Sequence, residues 1–137
     1  MIDLDKMGIV AFIGKRYGTF NPFGIADKLN IPIMWVDLGS NLMGKVTYLK
    51  GNPIILLNVV FKELNSRYFY CAHEVSHVIR HEGLSGAYNL NTKFRDKFEY
   101  QATEFADYIL INLYREDFGK LPDTYHDIEA EYGIPEQ

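Results

Sequence analysis

The sequence predicts an α+β domain in which a small three-stranded antiparallel sheet is packed by about five helices. Three observations predict it. β-Formers come in three short runs between residues 31 and 57, and helix punctuation brackets longer periodic segments on either side. At 137 residues, 47% hydrophobic and 23% charged, the chain holds one core and no second domain.

The elements follow in order. A first helix is predicted over Leu4 to Lys15, ending at Tyr17-Gly18. Asn21 then caps a second helix, which carries Pro22 in its first turn and reaches about Leu29. Ile31 to Leu38 reads as a strand. Lys45 to Leu49 and Ile54 to Leu57 read as two more, joined through Lys50-Gly51-Asn52-Pro53. So short a link makes those two antiparallel neighbours. Asn65-Ser66 caps a helix from Arg67 to about Glu82, and Gly83 to Asn91 is a loop. A long helix runs from Thr92 to Phe118, closed by Gly119. Pro122-Asp123 begins a last helix that stops near Tyr132-Gly133. The whole of 1–137 is expected to be one domain, with its core over about 20–113 and an acidic helical extension over about 119–137.

Composition excludes several classes. The net charge is 14 − 18 = −4 with no basic stripe, which disfavours direct nucleic-acid binding. Cys71 is the single cysteine, so an internal disulfide framework is ruled out and a reduced, cytoplasmic setting is the expectation. Its neighbours place Cys71 on the apolar side of its helix, as a buried structural thiol. The N-terminus lacks the pattern of a signal peptide, and the longest apolar stretch, Ile54 to Phe61, is too short to span a membrane. Oligomeric state is not readable.

The chemistry concentrates at His73-Glu74-Val75-Ser76-His77. Three of the chain's four histidines, His73, His77 and His81, fall within nine residues. Four residues make just over one helical turn, so His73 and His77 share a face and can grip one ion, while Glu74 can touch a water on it. Two neutral imidazoles, an open metal position and an adjacent carboxylate are the parts of zinc-dependent hydrolysis. On a helical wheel Tyr68, Cys71, Ala72, Val75, Val78 and Ile79 form the core face. His73, Tyr70, His77, His81 and Glu74 lie nearly opposite. A solvated face would be built of Lys, Glu and Arg, which are almost absent there.

Zinc needs a third protein ligand. Glu82 faces away from His73, and His81 rises about 12 Å beyond it, too far to share an ion. His81 is therefore a candidate for a supporting or substrate contact, or a plain helix C-terminal histidine. On the long helix the apolar stripe runs Phe98, Ala102, Phe105, Ala106, Ile109 and Leu113. Glu99 lies about 60° from its centre and Glu104 about 160°. Glu99 is thus the expected third ligand, and Glu104 a solvated charge.

The stretch Phe69 to His81 resembles the active-site helix of the ImmA/IrrE metallopeptidases. Glu99-Tyr100-Gln101-Ala102-Thr103-Glu104-Phe105-Ala106 is similar to that family's E-x-x-A-N-x-F-A segment, whose first Glu is a zinc ligand. The likeness covers roughly residues 20 to 113. Thr103 stands where the family usually has Asn, and Ile109-Leu110-Ile111-Asn112 replaces the usual L-L-M-P. The extra C-terminal domains of the radiation-response members are not expected.

The resemblance implies a zincin-like, gluzincin-type minimal metallopeptidase. His73, His77 and Glu99 would bind Zn²⁺ and Glu74 would be the general base. Tyr70 or His81 would donate to the oxyanion, without a choice between them. It also implies a phage or mobile-element origin and a helix-turn-helix repressor as substrate. A substrate strand could add to a sheet edge, with Ile54 to Leu57 the expected one. From Glu116 to Gln137 there are seven acidic residues and one basic, either a docking face for a basic partner or a solvated tail. The alternative to a peptidase is a non-proteolytic antirepressor or regulatory binding module that keeps the metal.

Overall fold

The computed structural model describes residues 11–12, 14–81 and 92–134. Residues 11–12 and 14–17 are helical, and the turn closes at Gly18, whose positive φ of 72° suits a residue without a side chain. The expected start of that helix at Leu4 and the expected loop Gly83 to Asn91 lie outside the described residues.

Helix α1, Pro22–Lys28, begins as the Asn-Pro pair predicts: Asn21 Oδ1 accepts from Phe23 N at 3.0 Å. The strands are β1, Ile33–Val36; β2, Gly44–Leu49; and β3, Asn52–Asn58. β2 and β3 form an antiparallel hairpin whose two loop residues, Lys50 and Gly51, both have positive φ, 52° and 81°. Pro53 pairs with Tyr48 just after the turn, before β1 joins β3 at Ile55, so its missing N–H breaks no ladder bond.

The sheet order is β1-β3-β2, and β1 runs parallel to β3. The sheet is therefore mixed rather than wholly antiparallel. The cause is the 37–43 connection, which arches over the end of β3 and leaves β3 between its two predecessors. Asn58, which is 1% exposed, braces that arch. Its Nδ2 donates to Gly39 O at 2.8 Å and Leu42 O at 2.9 Å, and its Oδ1 accepts from Val60 N at 3.3 Å. A second correction follows from the order. Ile54 to Leu57 belong to the central strand, paired on both sides, and cannot be an edge for substrate.

A short 3₁₀ turn, Val59–Phe61, leads to α2, Arg67–His81, which carries the histidine motif. Its apolar face, with Cys71, Ala72 and Val75 fully buried, packs into a core shared with Ile25, Ile55, Leu57, Phe105 and Ile109. Burial pushes the Cys71 thiol well up, as an unreactive structural cysteine requires. α3, Thr92–Phe118, lies along α2 and ends at Gly119 with φ 76°.

α4, Tyr125–Tyr132, starts later than Pro122-Asp123 suggested. Asp127 Oδ2 accepts from the backbone N–H of both Asp123 and Thr124, at 3.0 and 3.1 Å, which fixes Thr124 as the cap. Ile128, Tyr132 and Ile134 pack into the common core. The acidic C-terminal stretch also carries structural bonds. Glu116 accepts from Thr19 Oγ1 and Phe20 N, each at 2.8 Å, and Tyr132 donates to Asp117 at 2.9 Å.

Candidate metal centre

α2 and α3 bring His73, His77 and Glu99 together. His73 Nε2 lies 2.7 Å from Glu99 Oε2, and His77 Nε2 lies 3.1 Å from Glu99 Oε1. The two rings meet edge to face with centroids 5.0 Å apart. One ligand atom from each of the three residues falls within a 4.8 Å span. Donors around one tetrahedral zinc at about 2.0–2.1 Å are roughly 3.3 Å apart, so this nitrogen-nitrogen-oxygen set fits zinc after a small opening. The histidine side chains are 14% and 12% exposed and Glu99 is 44% exposed, so the cluster opens to solvent on the Glu99 side.

Glu74 is buried beside this cluster and makes no part of it. Burial is the main reason its carboxyl is pushed up to about 8; the Glu99 charge adds to the rise and His77 opposes it. Gly44, the first residue of β2, covers it. A Cβ there would sit 3.0 Å from Glu74 Cγ and 3.1 Å from Oε2. Thr103, one turn beyond Glu99, places Oγ1 3.3 Å from His73 Nδ1. Asp107, a turn further, accepts from Tyr125 of α4 at 3.2 Å. Its carboxyl is raised to about 6, chiefly by burial.

The other sequence candidates stand further out. Tyr70 lies one turn before Glu74, its ring packed on Phe61 at 4.6 Å and on Phe69 at 5.4 Å, and burial raises its hydroxyl. The His81 backbone ends α2, but its side chain lies outside the described residues. Glu104 is half-buried rather than solvated, with Oε2 accepting from Tyr100 at 3.3 Å. The 160° separation keeps Glu104 out of the His73, His77 and Glu99 cluster but takes no account of the neighbours it meets on its own side of α3.

Sequence reasoning missed Gly44, Asn58 and Asp107, and treated Thr103 only as a departure from a pattern. For Thr103 and Asp107 a signal existed: they follow Glu99 at four-residue steps on one helix face. For Gly44 and Asn58 there was none, because their roles depend on contacts between distant segments.

The model of the Peptidase_M78 family, described as the IrrE N-terminal-like domain, matches residues 26–137. The chain is also 30% identical over 124 residues to "Uncharacterized immunity region protein 2" of Bacillus phage phi105, covering 88% of this chain and 78% of the relative. Among the described residues no helix is long and apolar enough to cross a membrane. A motif helix bearing two histidines, a glutamate delivered from a second helix, and a family match across most of the sequence agree: the chain belongs to the Peptidase_M78, IrrE N-terminal-like, metallopeptidase family.

Proposed function

We propose that this protein is a zinc-dependent endopeptidase that cuts a peptide bond in a partner transcriptional repressor of the helix-turn-helix kind. The observation that carries the catalytic half is the convergence of His73, His77 and Glu99 within 4.8 Å, with Glu74 buried alongside but outside the set. A purely structural zinc would have no use for that carboxylate. The substrate half draws on the family and on the phage immunity-region relative, and a cytoplasmic site of action goes with it.

His73, His77 and Glu99 would hold the ion, which when bound supplies a Lewis acid that acidifies water and polarises a carbonyl. Glu74 takes the proton of the attacking water and delivers it to the leaving amine. A cation among the three ligands would also favour the ionised form of Glu74 against the burial that now raises it. Tyr70 and His81 are the candidate donors to the oxyanion.

β2 is the sheet edge closest to this chemistry. Asn58 N donates to Met43 O at 2.9 Å, continuing the β2–β3 ladder, so the alternate residues Gly44 and Val46 turn their backbone groups to the outer edge. An extended substrate segment added there runs past Gly44 and hence past Glu74.

The deciding experiment is Glu74→Gln with the partner repressor. Cleavage should fall by at least about 10³-fold while zinc stoichiometry and repressor binding persist. If Glu74→Gln relieves repression in cells as fully as the unaltered protein, the chain is a sequestering antirepressor and the peptidase reading is wrong.

A further inference from the structure

The three strands carry a single charged side chain, and it stands on the sheet edge beside the metal cluster. That residue is Lys45 of β2. It follows directly on Gly44, which packs against Glu74. Side chains alternate along a strand, so Lys45 points to the face opposite Gly44 and Val46. Val46 packs against the core, and Lys45 therefore lies on the outer face of the sheet. It shares a row there with Leu56 of β3 and Met34 of β1, the last 50% exposed. Its ammonium has no carboxylate within ion-pair distance among the described residues.

The ladder sets how close a guest strand brings its side chains. Asn58 N donates to Met43 O, so Met43, and by the two-residue period Lys45 and Thr47, spend their backbone groups on β3. The free backbone groups of the outer edge belong to Gly44 and Val46. For a strand added antiparallel, Lys45 is then a non-hydrogen-bonded site, where opposed Cα atoms approach to about 4.5 Å rather than about 5.5 Å. A side chain opposite Lys45 touches it, and opposite charges stabilise such a pair while like charges weaken it. Lysines also serve on edge strands to discourage pairing with a second edge. That role does not account for the position. The far end of the same edge is left unguarded, with Leu49 63% exposed and Tyr48 38% exposed, while the cation sits next to the residue that covers Glu74.

We propose that Lys45 is a specificity-determining residue that selects Asp or Glu at the substrate position lying opposite it on the β2 edge. Lys45 is the next residue after Gly44 at about 3.3 Å per residue, so that position falls within about two residues of the bond cut beside Glu74. The inference rests on the peptidase reading with substrate added at β2, and deepens it by naming the chemistry of one substrate side chain.

The test gives the zinc-loaded protein a randomised pool of short synthetic peptides and sequences the products. The unaltered protein should favour Asp and Glu over Lys and Arg about 3- to 10-fold at one position near the cut. Lys45→Glu should reverse the sign of the preference at that same position and leave the other positions alone. Lys45→Gln should flatten it. Lys45 is exposed, so both variants should fold. Raising salt to about 0.5 M should shrink the preference in the unaltered protein. An identical profile for the unaltered protein and Lys45→Glu would overturn the proposal. Self-association of Lys45→Gln with an unchanged profile would also overturn it, leaving Lys45 as a guard of the edge. If no peptide is cut, the peptidase reading fails separately, and retention of the same pool on immobilised protein judges Lys45. Acidic peptides held by the unaltered protein and basic ones by Lys45→Glu would support it, and no difference in what is retained would overturn it.

Discussion

Gly44 and Glu74 touch across the join between sheet and motif helix, so closely that an added Cβ would meet the carboxylate's Cγ, Cδ and Oε2 at 3.0–3.2 Å. The glycine is not there for its backbone, since Gly44 is not among the positions with positive φ. It leaves room for the base. Gly44→Ala should therefore displace Glu74 by a few tenths of an ångström while leaving the metal ligands untouched. We expect kcat to fall about 10-fold or more, since small misplacements of a reacting group are costly. Zinc stoichiometry should not change. Equal activity in Gly44→Ala and the unaltered protein would show that Glu74 has slack that the contact denies.

The outer edge of β2 gives a prediction about binding rather than chemistry. Val46 directs its N–H away from β3, so proline at 46 removes no β2–β3 hydrogen bond. It does remove a donor that an added substrate strand would use. Val46→Pro should raise KM for a repressor-derived peptide severalfold, with a smaller change in kcat. The comparison is Ile33→Pro on β1, the opposite edge, whose N–H likewise points away from β3, since Pro32 O accepts from Ile55 N there. If both variants raise KM alike, the substrate does not add at β2.

Asp107 should carry a pH-dependent stability cost in the zinc-free protein. Its folded pKa is raised from 3.8 to about 6 by burial and by Glu129, with Tyr125 and His73 opposing. The folded state therefore keeps a proton that the unfolded chain has already lost. The contribution to stability is fully present below about pH 4 and is lost as pH rises through 6. Asp107→Asn escapes this loss. Its melting temperature should match the unaltered protein near pH 4 and exceed it at pH 8. Parallel melting curves across this range would remove the basis for assigning the cost to Asp107.

Much of this arrangement is legible in the sequence, and the division has a physical cause. Asn21-Pro22, the Lys50-Gly51 turn and the helical spacing of His73 and His77 are local signals, each fixed by backbone geometry within a few residues. Glu99 was found because a helix wheel suffices to place a carboxylate at the rim of an apolar stripe. The parallel pairing of β1 with β3 was not readable, because strand order depends on which distant segments meet. Asn58 reads locally as an ordinary turn residue, and only the crossing of the 37–43 arch makes it a brace. The same holds for Gly44, whose partner Glu74 is thirty residues away, and for Glu104, whose environment a single-helix wheel cannot contain.

Asn58 can be tested for that bracing role. Three hydrogen bonds to the side chain of a residue that is 1% exposed hold Gly39, Leu42 and Val60 in place. Asn58→Ala removes the donor that the Gly39 and Leu42 carbonyls share and should cost about 1–3 kcal/mol of stability, read from denaturant midpoints. Because the arch delivers Gly44 to Glu74, activity should fall further than the folded fraction does. A loss of stability with activity per folded molecule unchanged would limit Asn58 to the fold.

Glu99 and Glu104 on α3 make the sharpest contrast, because they differ by five residues and by function. Glu99 bridges His73 and His77 at 2.7 and 3.1 Å, whereas Glu104 meets Tyr100 on another side of the helix. Glu99→Ala should reduce zinc binding by two or more orders of magnitude, since two histidines alone hold zinc loosely. It should also ease the rise in the Glu74 carboxyl, to which the Glu99 charge contributes. Glu104→Ala should keep zinc and activity near those of the unaltered protein and show its effect, if any, in melting temperature. Metal analysis after dialysis, done on both variants side by side, decides it. Zinc retained in Glu99→Ala and lost in Glu104→Ala would reverse the assignment of the third ligand.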